Sequence, residues 1–287
     1  MGRTLLRILR TSIRSVLVAL LASSVFLLSC QSKLTYFPRP YDKAALHDIM
    51  QRQARRIEAN TSQGKQVAFY LPPAKNPDQP PAYLWLVCGG NGSLSLDYSG
   101  EPLHWDPRFG YLFIDYPGYG LCEGHPNPAR VQENIVELSE ALRKDLHWSE
   151  EEFQKRTGVL GHSLGSAAAL IAADQLHLQS AILCAPFTTM TDMAKRTVGW
   201  PLCYLNMHRY DNLARLESIS ARGAQVRIYH GCDDGVIPVA MSRRLAAEHP
   251  GNVRLTEVPN CGHNEVVMDA SDDIGKAMLE LSHLPPR

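Results

Sequence analysis

The sequence contains no motif typical of nucleic-acid binding, no metal-binding motif, no internal repeat and no low-complexity tract. Its 29 basic and 29 acidic residues balance to a formal net charge of zero, and no basic patch favours a polyanionic partner. The seven cysteines show no spacing typical of a zinc site. We therefore expect neither nucleic acid as a partner nor a metal ion or other cofactor.

The first forty residues contain no acidic side chain, and the first carboxylate is that of Asp42. Arginines precede an apolar run over residues 16–28, which is short for a membrane span of about 20 residues. This order is typical of a secretory signal peptide. The run ends in Leu27-Leu28-Ser29-Cys30, which resembles a bacterial lipobox, where the cysteine is acylated and becomes the mature N-terminus.

We therefore predict a lipoprotein signal over residues 1–29, lipidation of Cys30, and anchoring of the exported protein to a membrane of the bacterial cell envelope. Gln31 follows the cysteine, and a residue other than Asp there implies the outer membrane in a Gram-negative cell. A plain signal peptide, an uncleaved N-terminal anchor and an organelle transit peptide stay open as alternatives.

Beyond a connector over residues 30–60, short apolar segments alternate with helical patterns. This alternation predicts an α/β domain over residues 61–287, with a mostly parallel sheet flanked by helices. The segment from 188 to about 224 is too short for a separate lid domain and predicts a small helical cap. The strands are expected near residues 66–71, 82–87, 111–115, 159–160, 181–184, 226–229 and 253–258.

The motif Gly161-His162-Ser163-Leu164-Gly165 lies between an apolar strand and a run of small residues. In that setting G-x-S-x-G is typical of a nucleophile elbow, in which a tight turn presents the serine at a helix N-terminus. Side chains at Gly161 or Gly165 would collide with neighbouring backbone in so tight a turn. The motif therefore predicts Ser163 as a nucleophile activated by a nearby base.

A serine nucleophile needs a histidine base and an acid that orients it, and one common arrangement places them in the chain order Ser, acid, His. The penultimate strand is followed by His230-Gly231-Cys232-Asp233-Asp234-Gly235-Val236-Ile237-Pro238. The last strand is followed by Asn260-Cys261-Gly262-His263-Asn264. The sequence thus offers both partners in the expected order.

Taken together, these motifs resemble the α/β-hydrolase superfamily, and within it the serine-aminopeptidase or lysophospholipase-like group. Two further segments carry the resemblance, Asp115-Tyr116-Pro117-Gly118-Tyr119-Gly120 and Ala185-Pro186-Phe187-Thr188. The resemblance implies the α/β-hydrolase fold, with Ser163 as nucleophile and His263 as general base. It also implies Asp234 as the acid, four residues before Pro238, while Asp233 and Asp192 remain alternatives.

The resemblance further implies an oxyanion hole formed by the backbone N–H groups of Leu164 and Asn91. Relatives often read His-Gly-Asn where this chain reads Gly89-Gly90-Asn91, and often carry Arg where Pro117 stands. His162 is expected to be a structural residue of the elbow that points away from the nucleophile.

These features predict a serine hydrolase that cleaves an ester or thioester bond of a small acyl substrate through an acyl-enzyme. A serine peptidase or aminopeptidase, a non-catalytic binding lipoprotein and an acyltransferase remain alternatives. In the cap, Trp200, Leu202, Tyr204 and Met207 are expected either to line an acyl site or to pack in the core.

Six cysteines follow Cys30, and Cys232 and Cys261 each lie two residues before a predicted catalytic residue. Their loops are therefore expected to be neighbours. A disulfide between them is one prediction, and buried free thiols are the favoured one.

Overall fold

Eight strands form a single sheet in the computed structural model, which describes residues 2–285. Their order across the sheet is β1-β2-β4-β3-β5-β6-β7-β8. β2 is antiparallel to β1 and β4, and the other neighbouring pairs are parallel. The strands are β1 (Arg55–Thr61), β2 (Gly64–Leu71), β3 (Tyr83–Cys88), β4 (Phe109–Ile114), β5 (Thr157–His162), β6 (Ser180–Cys184), β7 (Gln225–Gly231) and β8 (Val253–Val258).

Within the same residues, helices cover both faces of the sheet, which confirms the predicted fold class. Short 3₁₀ helices occur at residues 95–98, 101–103 and 202–205. The α-helices are α1 (Gly2–Thr35), α2 (Lys43–Gln51), α3 (Pro128–Asp145), α4 (Glu150–Lys155), α5 (Leu164–Gln175), α6 (Met190–Val198), α7 (Asn212–Ala221), α8 (Val239–Glu248), α9 (Val266–Asp269) and α10 (Ser271–Ser282).

The sheet separates two apolar layers, and β3 shows how. Leu84 and Leu86 belong to the core shared with α3, α5 and α7, whereas Trp85 and Val87 belong to the core shared with α2, α9 and α10. Successive side chains of a strand point to opposite faces, so a strand covered on both sides must be apolar throughout. This explains why the central strands appear in the sequence as continuous apolar runs.

The first strand, β1, lies in the segment predicted to be a connector, and it joins β2 in an antiparallel hairpin. Of its seven residues only Ile57 is buried. Charged, solvated side chains are typical of an edge strand and hide the apolar alternation by which strands are recognised. The sheet therefore begins at Arg55, within the predicted connector.

The N-terminal helix α1 covers the predicted signal segment and continues past Cys30 to Thr35. Among the helices in the described part of the chain, none combines the length and apolar character needed to cross a membrane.

The predicted cap segment divides into two parts. α6 and the 3₁₀ turn at 202–205 pack against each other and cover the carboxyl edge of the sheet near Ser163. α7 instead packs against α5 in the layer that flanks the sheet. The cap over the site is accordingly smaller than the predicted segment 188–224.

Candidate active site

Ser163 lies in the turn between β5 and α5, with backbone angles φ 56° and ψ −119°. A positive φ at a residue other than glycine is strained and persists only where the surroundings enforce it. A Cβ at Gly161 would overlap the carbonyl oxygen of Gly165, and a Cβ at Gly165 would overlap that of Cys88. The two glycines therefore permit the close approach of helix and strand that holds the serine in this conformation.

The three residues predicted to be catalytic are joined by hydrogen bonds. His263 Nε2 lies 2.9 Å from Ser163 Oγ, and His263 Nδ1 lies 2.7 Å from Asp234 Oδ2. With the proton on Nδ1, the imidazole donates to the carboxylate and accepts from the serine hydroxyl. This is the arrangement in which a histidine can take up the serine proton.

The Asp234 carboxylate is buried and is held by four donors. Its Oδ1 accepts the backbone N–H groups of Val236 and Ile237, both at 2.8 Å, and its Oδ2 accepts from His263 and lies 3.2 Å from His230 Nε2. Desolvation raises the pKa of this carboxyl, but the hydrogen bonds from His230, His263 and Ile237 outweigh it and place the pKa below its usual value. Asp234 is therefore ionised in the folded protein near neutral pH.

His230 was not assigned a role from the sequence, and the structure places it beside the acid. The ring is fully buried, with Nδ1 2.6 Å from Ser242 Oγ and Nε2 2.8 Å from the Ile237 carbonyl oxygen. It thereby ties the end of β7 to the turn that carries Asp234. The sequence offered one signal for this role, because His230 is the first residue of the segment that carries Asp234.

The alternative acids lie elsewhere. Asp233 is exposed, and its backbone N–H donates to the Cys261 carbonyl at 3.0 Å. Asp192 accepts the Thr188 hydroxyl at 2.6 Å, on the first turn of α6. Within residues 2–285, Asp234 is the carboxylate that contacts the His263 ring.

His162 is a structural residue of the elbow, as predicted, and it supports the loop that carries His263. Its Nδ1 lies 2.9 Å from the Tyr98 hydroxyl and its Nε2 lies 2.8 Å from the His263 backbone carbonyl, with the two imidazole rings 5.0 Å apart. Burial, and then the nearby His263, lower the pKa of His162 to about 4. The neutral ring donates from Nε2 to the carbonyl and accepts the Tyr98 proton at Nδ1.

The buried neutral His162 predicts a stability that depends on pH. Because its pKa falls from 6.5 to about 4 on folding, the unfolded chain binds more protons between these pH values. The free energy of unfolding should therefore decrease as the pH is lowered through this window, by roughly 3 kcal/mol in total. Urea unfolding of the protein and of His162→Gln between pH 4.5 and 7 checks this, since the variant should lose the slope. An unchanged slope would contradict the assignment.

The loop that follows β3 is held from behind by the segment after α1. The Asn91 carbonyl accepts the Phe37 N–H at 3.0 Å and the Tyr119 hydroxyl at 2.6 Å, and the Asn91 side chain donates to the Thr35 carbonyl at 3.2 Å. Arg39 Nε donates to the Gly92 carbonyl at 3.2 Å. These bonds fix the orientation of the peptide groups beside Ser163.

The two predicted oxyanion donors line the same cavity as Ser163. Leu164 is the first residue of α5, and the N–H groups of the first helical turn have no acceptor within the helix. Asn91 also lines the cavity, and its carbonyl accepts from Phe37 and Tyr119. The assignment of both N–H groups to an oxyanion hole stays a prediction.

The cavity has a volume of about 530 Å³, and none of its described lining residues is Asp, Glu, Lys or Arg. Leu202 lines the cavity, in agreement with the prediction that cap residues line an acyl site. Trp200, Tyr204 and Met207 are 75%, 62% and 66% exposed, so for these three side chains both predictions, acyl wall and core, are wrong. The apolar lining residues are Leu34, Leu164, Phe187, Met190, Met193, Ala194, Val198, Leu202, Leu205, Val236 and Ile237.

The cysteines of the described residues are free thiols. Cys261 is buried, but Cys232 is exposed, contrary to the expectation of buried thiols. Their loops are neighbours as predicted, because the Asp233 N–H donates to the Cys261 carbonyl. In the same residues, no group of three or more His, Cys, Asp or Glu side chains is arranged to hold a metal ion.

Comparison with known proteins agrees with this architecture. No family model matches the chain. An uncharacterized protein of Mycobacterium tuberculosis is 28% identical over 253 residues, which cover 87% of this chain and 86% of that protein. The human α/β-hydrolase domain-containing protein 17C is 24% identical over 156 residues, covering 54% of this chain and 44% of that protein. A Pyrococcus furiosus esterase superposes with a TM-score of 0.66 at 14% identity, covering 86% of this chain and all of the esterase.

The sheet order, the strand-to-helix turn at Ser163 and these likenesses define the class: the chain has the α/β-hydrolase fold. Several relatives and solved structures that resemble the chain are named as α/β hydrolases.

Proposed function

We propose that the protein is a serine hydrolase that cleaves esters or thioesters carrying an apolar acyl group, within the lysophospholipase-like group that its motifs resemble. The observation that carries this proposal is the hydrogen-bonded chain Ser163–His263–Asp234 at one end of an uncharged cavity. A buried serine next to a histidine whose other nitrogen is held by a carboxylate is the arrangement needed for acyl transfer.

In the proposed reaction, Ser163 Oγ attacks the acyl carbonyl carbon while its proton moves to His263 Nε2. The N–H groups of Asn91 and Leu164 stabilise the oxyanion, and one such donor is typically worth about 3 kcal/mol in the transition state. The alcohol or thiol then departs with the proton from His263. Water attacks the acyl-enzyme after losing a proton to His263, the acid is released, and the proton returns to Ser163.

The cavity lining favours an apolar acyl group. Methionines and leucines of α6 and of the 202–205 turn form one wall, opposite the loop that follows β3. An aminopeptidase would need a carboxylate to bind the free amino group of its substrate, and the described lining residues include no acidic side chain. This supports ester or thioester cleavage over aminopeptidase activity.

A fluorophosphonate label and a series of p-nitrophenyl esters test the proposal. We expect covalent labelling at Ser163, located by mass spectrometry of the peptide. We also expect kcat/KM to rise about fourfold per added methylene until the cavity is filled, because each buried methylene contributes about 0.8 kcal/mol. Butanoate, hexanoate, octanoate and decanoate esters span a useful range.

Other outcomes would point to the alternatives. A folded protein that neither labels nor turns over any ester would support a non-catalytic binding lipoprotein. Preference for aminoacyl amides over esters would support a peptidase. Formation of a new ester from an added alcohol, faster than release of free acid, would support acyl transfer.

We also propose that Cys30 is lipidated and that the protein is anchored to a bacterial envelope membrane. Support comes from the arginine-rich start, the apolar run and the lipobox-like Leu27-Leu28-Ser29-Cys30. Two or more acyl chains give stable anchoring, whereas a single chain gives marginal, reversible binding. Cys30→Ser should therefore move the protein from the membrane fraction to the soluble fraction. Retention of this variant in washed membranes would contradict lipidation.

A further inference from the structure

Three exposed apolar side chains, Trp200, Tyr204 and Met207, project from the cap and are here called the cap tip. Tyr204 lies in the 3₁₀ turn at 202–205, and Trp200 and Met207 lie two residues before and after that turn. Leu202 and Leu205 of the same turn line the cavity. The turn is therefore apolar on two sides, one facing the cavity and one facing outward. Single exposed apolar residues are common, but three within eight residues of a short cap segment form a candidate binding surface.

The composition around the cap tip is that of a membrane interface. Lys195 and Arg196 lie exposed in the last turn of α6, directly before Trp200. Arg209 is exposed and donates to the carbonyls of Tyr204 and Asn206 at 3.5 and 3.2 Å. Tryptophan and tyrosine are enriched at the headgroup level of bilayers, and lysine and arginine beside them are attracted to anionic lipid.

The cap tip is also joined to the segment where the anchor is proposed. The Met207 N–H donates to Gln31 Oε1 at 2.6 Å, and His208 Nε2 lies 3.0 Å from Ser32 Oγ. Gln31 directly follows Cys30, so acyl chains on that cysteine lie within a few residues of the cap tip. A bilayer that holds those chains is the surface closest to the exposed side chains.

We propose that the cap tip docks into the surface of a lipid bilayer and that the mouth of the cavity opens there. The substrate then enters from the lipid phase as an acyl ester of low water solubility. The choice of a bilayer draws on the proposed lipidation of Cys30, and the assignment of the substrate's source rests on the proposed hydrolase function.

The native tryptophans provide a direct test. Trp85, Trp105 and Trp148 are buried, so Trp200 is the exposed one among the four. We expect iodide to quench Trp200 in the soluble Cys30→Ser variant, without detergent or lipid. After reconstitution of the full chain into vesicles of phosphatidylcholine and phosphatidylglycerol, iodide quenching should fall and brominated lipid should quench instead. Continued iodide quenching with no effect of brominated lipid shows a protein that is merely tethered and overturns the proposal.

A pair of variants separates docking from catalysis. Tyr204→Ser with Met207→Ser should slow hydrolysis of a long-chain ester embedded in vesicles roughly tenfold or more, because burial of one large apolar side chain is worth about a factor of ten. Hydrolysis of soluble p-nitrophenyl butanoate should change little. Leu103→Ser, at a side chain that is 72% exposed and does not line the cavity, is the matched control.

The outcomes distinguish the two proposals. Equal losses on soluble and embedded esters would assign the cap tip to the catalytic site and overturn docking. Protection of Trp200 from iodide without lipid, together with a doubled mass in solution, would identify a second copy as the occupant and also overturn it. Absence of any esterase activity with lipid-dependent protection of Trp200 would leave docking supported and the hydrolase function refuted.

Discussion

Replacing Ser163 with alanine is expected to lower kcat for ester hydrolysis by about a million-fold. The hydroxyl is the acceptor of the acyl group in the proposed mechanism, and it lies 2.9 Å from His263 Nε2, the base that would activate it. The oxyanion donors and the cavity remain in the variant. A residual rate of 10³ to 10⁴ over the uncatalysed reaction is therefore the expected order of magnitude.

Steady-state hydrolysis of p-nitrophenyl octanoate and fluorophosphonate labelling measure this effect. Ser220→Ala is the matched control, because that hydroxyl lies on α7 and has no hydrogen-bond partner in the described part of the chain. The control should keep both labelling and turnover. Activity of Ser163→Ala within tenfold of the parent would refute Ser163 as the nucleophile.

Replacing Asp234 with asparagine is expected to lower kcat about 10⁴-fold with little change in KM. The carboxylate at 2.7 Å keeps the proton of His263 on Nδ1 and leaves Nε2 free to accept from Ser163. An amide nitrogen facing Nδ1 favours the other tautomer, in which Nε2 already carries a proton. The imidazolium formed during the reaction also loses the negative charge that stabilises it.

The neighbouring Asp233→Asn variant controls for a change of charge in the same turn. Asp233 is exposed and uses its backbone, not its carboxylate, to contact the Cys261 loop. Its replacement should leave kcat within a factor of two or three. If Asp233→Asn were the inactive variant and Asp234→Asn the active one, the assignment of the acid would be reversed.

Much of the sheet was predictable because its central strands are buried on both faces. Such strands appear in the sequence as apolar runs, and the expected strand 82–87 overlaps the fully buried β3 (Tyr83–Cys88). The pattern of Ser149 followed three residues later by Glu152 also predicts a capping box, and reciprocal hydrogen bonds form it at the start of α4. Both signals are local, so they need no knowledge of the rest of the fold.

The β1 edge of the sheet was not predictable in the same way. β1 is charged and largely solvated, and its strand conformation depends on pairing with β2. The cap was likewise predicted only in outline. Which of Trp200, Leu202, Tyr204 and Met207 faces the cavity depends on how the 3₁₀ turn packs against α6, and apolar character alone does not distinguish the choices.

In the candidate site, too, the local features were predictable and the contacts between distant segments were not. The motif around Ser163 specifies its own geometry, since both glycines are needed by atoms within a few residues or on the adjacent strand. The role of His230 was missed, and the structural role of His162 was predicted without its partners. Each depends on a partner brought from another segment, Asp234 across the turn for one and the His263 loop for the other.

The sequence by itself determined the α/β class, the elbow at Ser163 and the order in which acid and base follow it, because short-range sterics and apolar periodicity encode these features. Tertiary structure alone decided that Asp234 reaches His263, that His162 supports the base, and that the cap turns Trp200 outward. Those outcomes depend on distances between segments far apart in the chain. Such distances are set only when the strands pair and the helices pack.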